Sequence, residues 1–350
     1  MRFCRSHDGV RIAYARHGSG PVLVIATCWL SHLQHDWESP VWRHFLADLG
    51  EFATVIRYDE RGHGLSDWGV EDHSLGARVG DLEAVVADAG VDRFALMAMS
   101  QGGPVVIDYA VRHPDRVSRL LFYGSHATAF VDPTPEQLEM AATLEQMIKV
   151  GWARPESAFR RVFTSMMIPG ASEEQMRWLD ELQRVSVSAE TAVLARQQRS
   201  QANVVDLLSS IDKPTLVLQS LRDQMNDFAD SRLLATNIPG ARLVALDSAN
   251  HIVLQDEPAW RTFLTEVRAF LEPDRQSMAV PATPVSALLS PREVDVLRLA
   301  ATGMDNEGIA AELVLSVRTV ERHLQNAYTK LGVQGKAARA AAVARFLAPT

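Results

Sequence analysis

The rhythm of apolar and polar positions changes twice along this chain. From residue 1 to about 126, short β-rich apolar runs alternate with stretches whose apolar residues recur at helical spacing. "GVRIAYARHG" (9–18) predicts a strand near an edge, and "PVLVIAT" (21–27), "ATVIRYD" (53–59) and "FALMAM" (94–99) predict buried strands. "SPVWRHFLADLG" (39–50) and "GARVGDLEAVVADAG" (76–90) predict helices between them. Such alternation predicts a mostly parallel sheet covered on both faces. From about 127 to 210 the pattern is helix after helix, without a convincing strand. Strands return with "IDKPTLVLQS" (211–220) and "ARLVALDS" (241–248), and "PAWRTFLTEVRAFL" (258–271) is an amphipathic helix. A helical block inserted into an α/β pattern predicts a lid over a site; an added structural layer is the alternative.

The second change of rhythm comes at "EPDRQSMAVPATPVSALLS" (272–290), which has three prolines, several small residues and no periodicity. It reads as a linker, and everything beyond it is helical in pattern. The expected organisation is an α/β domain over 1–272 with its helical cap at about 127–210. A linker over 273–288 and a small all-α domain over 289–350 follow.

Composition sharpens this only where it is uneven. The 350 residues carry a net charge of −8, which argues against a chain that coats nucleic acid over its whole surface. Residues 286–350, however, hold eight Lys/Arg against six Asp/Glu, so that segment is about +2 and the remainder about −10. Two cysteines, Cys4 and Cys28, offer no disulfide framework. No long apolar run opens the chain and none of about 18 residues occurs within it, so neither a secretory signal nor a membrane span is expected. A cytoplasmic protein is expected.

The candidate chemistry begins where "FALMAM" meets Ser100-Gln101-Gly102 and a helix-like segment follows. A serine on a sharp strand-to-helix turn needs small residues two before and two after it, because the strained turn crowds the chain. Ala98 and Gly102 meet that need, with alanine where the G-x-S-x-G pattern has its first glycine. An ordinary turn serine is the alternative. "YDERGHGLS" (58–66) adds a Gly-rich turn after a strand. "PTLVLQSLRDQMND" puts Asp223 just past a buried strand, with Asp227 and Asp247 as rivals, and "DSANHIVLQDEP" puts His251 past the last strand. In an open α/β sheet, sites form at the carboxyl ends of strands. In these residues, and in the order Ser100, Asp223, His251, the first 272 residues resemble the α/β-hydrolase family with a helical cap.

The resemblance implies a serine hydrolase of esterase or lactonase type, without cofactor or metal. Ser100 is the nucleophile, His251 the base and Asp223 its orienting acid. The backbone N–H of Gln101 is one oxyanion donor, and the second comes from the loop near Cys28 and Trp29. Most relatives have a His-Gly pair in that loop, where this chain reads "ATCWLSHLQHDW". His32, His35 and Asp36 have a spacing that suits metal ligands, but no third cluster supports a metal. Trp29, Trp37, Phe163, Met166, Met167 and Trp178 are candidates for an apolar pocket, with core packing the alternative for each.

The end of the chain reads physically before it is named. Ser290 is an N-cap, Pro291 the first helical residue and Glu293 the completion of a capping box. Asn306 opens a short second helix and Ser316 caps a third. On that third helix Val320, Leu324, Ala327 and Leu331 form a buried face, leaving Arg318, Thr319, Arg322, His323 and Asn326 outward. A short helix, a tight turn and a helix with an outward basic face make a helix-turn-helix. "LSPRE", "IAAEL" and "LSVRTVERHLQNAYTKLGV" resemble the LuxR-type DNA-binding domain. That resemblance implies that the third helix enters the major groove of promoter DNA. Arg318, Thr319 and Arg322 are then candidates for base edges or nearby phosphates, and His323 and Lys330 for phosphates. It also implies dimerisation through a last helix, "KAARAAAVARF" (336–346), for which a plain scaffold helix is the alternative.

Together the halves read as a one-component transcription regulator whose α/β-hydrolase domain binds a small, fairly apolar ester- or lactone-like ligand. An active esterase or lactonase that carries a DNA-binding domain is the second reading.

Overall fold

A computed structural model describes residues 1–26, 30–130, 133–154, 158–272, 289–301, 304–331, 333 and 338–347. The chain divides into two compact units, Met1–Glu272 and Pro273–Thr350.

The first unit is built on an eight-stranded sheet. Its strands are β1 (Arg2–Arg5), β2 (Arg11–Gly18), β3 (Val22–Ala26), β4 (Thr54–Tyr58), β5 (Phe94–Met99), β6 (Val117–Tyr123), β7 (Thr215–Ser220) and β8 (Arg242–Leu246). They lie in the order β1-β2-β4-β3-β5-β6-β7-β8. β2 pairs antiparallel with both β1 and β4, and every pairing from β4 through β8 is parallel. The helices between strands are α1 (Arg43–Gly50), α2 (Leu75–Asp88), α3 (Gly103–Arg112) and α8 (Phe228–Asn237), and α9 (Pro258–Leu271) follows the last strand.

Parallel strands buried on both sides read as near-continuous apolar runs. β3 shows how one run serves two cores. Leu23 and Ile25 join one buried cluster with Phe45, Met97 and Phe263. Val24 joins the other with Val79, Leu96 and Val106.

Two strands are absent from the sequence reading. β1 is a four-residue edge strand with arginine at both ends. β6 carries Ser118 and Arg119 among its apolar residues, which breaks the run; the Arg119 guanidinium lies over the Phe270 ring.

Between β6 and β7 come α4 (Pro135–Gly151), α5 (Ala158–Met167), α6 (Glu173–Ser186) and α7 (Ala189–Ser200). Each of α4, α6 and α7 starts at a Ser or Thr whose side chain accepts from the backbone three residues on, which satisfies an otherwise orphaned donor. The insertion is pinned at its base, where Thr128 bridges Asn203 and the Val204 N–H donates to the Ala127 carbonyl at 3.1 Å.

The second unit is all-helical among its described residues: α10 (Pro291–Ala301), α11 (Asn306–Leu313), α12 (Val317–Lys330) and α13 (Ala338–Leu347). Val320, Leu324, Ala327 and Leu331 are buried as the spacing predicts, packed with Val296, Leu297 and Ile309. The expected linker, 273–288, and Lys336 at the start of the expected last helix lie outside the described residues.

Candidate functional site

Ser100 follows β5 and opens a 3-10 turn, Ser100–Gly102, that leads straight into α3. Its φ is 50°, a left-handed conformation that strains a residue with a Cβ by about 1–2 kcal/mol. The strain is held from three sides. A Cβ on Gly102 would lie 2.6 Å from the Ala26 carbonyl, and one on Gly103 would lie 2.0 Å from the His126 carbonyl. Ser125 Oγ donates to the Ser100 carbonyl at 2.6 Å. The glycine two past the serine is thus a demand of the neighbouring β3, and Ala98, fully buried, is small enough for the place before the turn.

Asp223 follows β7 and His251 follows β8. His251 Nδ1 and Asp223 Oδ2 are 2.6 Å apart. Asp223 Oδ1 accepts from the Met225 N–H at 2.8 Å, and Oδ2 also accepts from Gln219 Nε2 at 3.0 Å. Asp227 instead caps α8, and Asp247 pairs with Arg222 at the surface. The histidine is fixed through its backbone: its N–H donates to the Met167 carbonyl at 2.7 Å, and its carbonyl accepts from Tyr123 Oη at 2.7 Å. Gly124 has φ 52°, and a Cβ there would stand 3.0 Å from the imidazole. With Nδ1 held by Asp223, Nε2 is the ring nitrogen left for proton transfer.

Ser100 and His251 line one small cavity, about 20 Å³, with Trp42, Leu179 and Leu182 among its apolar walls. Ser100 also lines a larger one of about 210 Å³, bounded by Phe163 and Met166 of α5 and by Arg196 and Arg199 of α7. Met167 lines the smaller cavity. Neither Trp37 nor Trp178 lines either of these two cavities: Trp37 meets the edge of His17, and Trp178 stacks on His35 at 4.4 Å. Their apolar character suits ring contacts as well as it suits a pocket, and sequence alone does not separate the two. Cys28 and Trp29, expected near the oxyanion position, lie outside the described residues. Asp36 is paired with Arg57 at 2.6 Å, and among the described residues no three His, Cys, Asp or Glu side chains gather as a metal site would need.

Sequence reasoning missed a buried ionic knot behind Ser100. Glu60, in the loop after β4, accepts from Arg78 Nη2 of α2 at 2.9 Å and pairs with Arg199 of α7. Arg78 Nη2 also donates to the Gln101 carbonyl at 3.0 Å, and Arg199 Nη1 reaches Gln101 Oε1 at 3.5 Å. The knot ties an inserted helix to the peptide that follows Ser100. Its two arginines hold the Glu60 carboxyl well down, to about 2, against the upward push of burial. The only sequence signal was acidic and basic residues at apolar-patterned positions. Removing one member of a buried pair leaves stranded charge. Glu60→Gln is therefore expected to destabilise the first unit by about 3–5 kcal/mol in urea unfolding, and a loss below about 1 kcal/mol contradicts this role.

Three buried histidines surround the knot. Burial, then the Arg199 charge, lowers His63 to about 3 and His73 to about 4; burial, then Arg78, lowers His126 to about 4. All three stay neutral in the folded state near neutral pH. Below the unfolded value of about 6.5 the unfolded chain takes up protons that the folded chain refuses. Their contribution is complete above about pH 6.5 and is lost as pH falls towards about 4, at up to ~1.4 kcal/mol per pH unit for each histidine. The urea midpoint is expected to drop between about pH 7.5 and 5.5; a flat or rising midpoint contradicts it.

In the second unit the turn between α11 and α12 passes through Val314 at φ 54°, and Ser316 Oγ accepts from the Thr319 N–H at 3.1 Å to start α12. Arg318 and Arg322 are exposed on one face of α12, with Thr319 and His323 half-buried beside them. Lys330 has a partner within its own domain. Its Nζ pairs with Glu293 Oε2 at 2.7 Å, and that carboxylate also accepts from the Ser290 N–H at 2.6 Å. The ammonium joins α10 to α12 because the buried capping-box carboxylate needs a counter-charge.

Comparison with known proteins agrees with both units. A family model described as "alpha/beta hydrolase fold" matches residues 21–258, and one described as "Bacterial regulatory proteins, luxR family" matches residues 287–343. A non-heme haloperoxidase of Rhodococcus erythropolis is 29% identical over 269 residues, covering 72% of this chain and 93% of its own length. A cis-3-alkyl-4-alkyloxetan-2-one decarboxylase of Shewanella oneidensis is 22% identical over 304 residues, covering 81% of this chain and 92% of its own. Among solved structures, an esterase from Exiguobacterium antarcticum superposes with a TM-score of 0.65 at 20% identity, covering 77% of this chain and 98% of its own. An enol-lactonase from Burkholderia xenovorans does so at 0.61 and 22% identity, with 77% and 99% covered. Among the described residues no helix is long and apolar enough to cross a membrane.

Proposed function

We propose that this chain, which belongs to the alpha/beta hydrolase fold family and ends in a luxR-family DNA-binding domain, is a one-component transcription regulator whose DNA binding responds to a small molecule at Ser100. The observation that carries the proposal is the joint lining of one cavity by Ser100 and an Asp223-paired His251, in a chain that also carries a helix-turn-helix. The ligand is an ester or lactone. Ser100 Oγ attacks its carbonyl, His251 takes the proton and returns it to the leaving group, and Asp223 fixes the imidazole and stabilises its charged form. The Gln101 N–H, at the start of the turn into α3, donates to the developing oxyanion, and the loop at Cys28 and Trp29 supplies the second donor.

In the second domain α12 enters the major groove. Arg318, Thr319 and Arg322 meet base edges or adjacent phosphates, and His323 a phosphate. The small basic excess of this segment makes one copy a weak binder, so two copies act together, joined through α13. Occupancy at Ser100 shifts the DNA-binding equilibrium because the ligand prefers one of two states of the protein. The intact catalytic set favours a second reading, an esterase or lactonase whose DNA-binding domain only positions it. The two differ in whether filling the cavity changes affinity for an operator duplex, and binding of the full chain to such a duplex, with and without covalent occupancy of Ser100, separates them.

A further inference from the structure

The larger cavity beside Ser100 holds a guanidinium that the described residues do not answer. Arg196 of α7 is half-buried and lines this cavity, and no nitrogen of its side chain makes a hydrogen bond or ion pair among the described residues. Other arginines of the inserted helices are committed. Arg199, one turn further on, pairs with Glu60; Arg161 pairs with Glu173 and Asp180. The charged side chain acting on Arg196 is Glu145 of α4, and that carboxylate is engaged by Gln197 Nε2 at 2.9 Å. Burial lowers the Arg196 pKa in spite of Glu145, the mark of a desolvated charge with too little compensation. Arginine does not discharge itself by losing its proton in a protein. An anion that enters the cavity relieves that cost, and it has a planar fork of donors to meet.

The rest of the cavity narrows the anion's chemistry. Its other ionisable groups are Arg199, already paired, Glu145, Asp230 and the neutral His126. A dianionic phosphate would bring its second charge in among two carboxyls. A carboxylate carries one charge and matches the guanidinium fork with two parallel hydrogen bonds. Phe163 and Met166 give the span between Ser100 and Arg196 an apolar wall.

We infer that Arg196 anchors a free carboxylate of the ligand, so the ligand class is an ester or lactone that also carries a carboxylate, with its carbonyl at Ser100 and its carboxylate at Arg196. This rests on the reading of Ser100 as the ligand's contact point.

The test is calorimetric titration of the full chain carrying Ser100→Ala, so that binding is measured without turnover. Two para-nitrophenyl esters of equal length serve as probes: the glutarate half-ester, which ends in a carboxylate, and the valerate, which ends in a methyl. The half-ester is expected to bind at least about tenfold more tightly. Adding Arg196→Gln is expected to bring the two within about twofold while leaving the valerate unchanged, and Arg196→Lys to keep an intermediate preference. Equal affinities for the two probes before Arg196 is changed overturn the anchor and leave the ester pocket standing. A preference that survives Arg196→Gln overturns it too. If neither probe binds at about 1 mM, the ester pocket itself falls, and the anchor with it.

Discussion

Replacing Ser100 with alanine is expected to abolish ester hydrolysis by the full chain, lowering kcat on para-nitrophenyl butyrate by about 10⁴-fold or more. The size of the effect follows from the arrangement around the serine. In the proposed mechanism its hydroxyl, on the strained turn, is the nucleophile, and the imidazole sharing its cavity is held by Asp223 at 2.6 Å. Without the hydroxyl no acyl-enzyme forms, and only the oxyanion donors and binding remain to assist water. Ligand affinity should change little, because one buried oxygen adds little to a mostly apolar contact. The same variant should keep its fold. Alanine loses only the side-chain oxygen; the turn is held through the Ser100 carbonyl, which accepts from Ser125, and through Gly102 and Gly103. Asp223→Asn should cost about 10⁴-fold as well, through the wrong imidazole tautomer. Hydrolysis by the Ser100→Ala chain at more than about a tenth of the starting rate would assign the chemistry to another group.

The second large effect belongs to α12. The double change Arg318→Ala and Arg322→Ala is expected to weaken operator binding at least about 30-fold, since each exposed guanidinium on a groove-reading helix contributes about 1–3 kcal/mol. A guanidinium on a base edge discriminates between sequences, whereas one on a phosphate weakens all duplexes alike and flattens the salt dependence by about one unit of slope. Anisotropy titrations on operator and scrambled duplexes at several salt concentrations separate these contributions. Lys330→Ala is the control. Because its ammonium answers the buried Glu293, its loss should lower thermal stability and leave the salt slope unchanged. Operator affinity unaffected by loss of both arginines would remove α12 as the reading helix.

What was legible in the sequence follows the range of the interactions involved. The elbow shows itself locally, because a strained turn between a strand and a helix demands small residues at fixed offsets from Ser100. The helix-turn-helix shows itself for the same reason: the buried face of α12 is a matter of periodicity, and Ser290, Glu293 and Ser316 act within a turn of themselves. Asp223 could be put forward from its place after β7 but not separated from Asp227 and Asp247 by chemistry alone; the fold brings one of the three to His251. The knot of Glu60, Arg78 and Arg199 was hidden, since its members come from a loop, a core helix and an inserted helix, with Arg199 139 residues beyond Glu60. The partner of Lys330 was hidden for a related reason. A lysine on a basic helix suggests phosphate until the carboxylate of Glu293, 37 residues away, is seen against it. Trp37 and Trp178 show the same limit for apolar residues, whose neighbours are set by tertiary packing.

The central claim is that filling the cavity at Ser100 changes how the chain holds DNA, and its most direct test uses one protein in two states. The full chain is labelled at Ser100 with a small alkyl fluorophosphonate, complete single-site modification is verified by mass spectrometry, and labelled and unlabelled protein are titrated onto an operator duplex. The account predicts that the two dissociation constants differ at least about fivefold, the lower end of ordinary allosteric coupling. Equal constants for fully labelled and unlabelled chains would contradict it, and would leave a hydrolase carrying a DNA-binding domain that its own pocket does not govern.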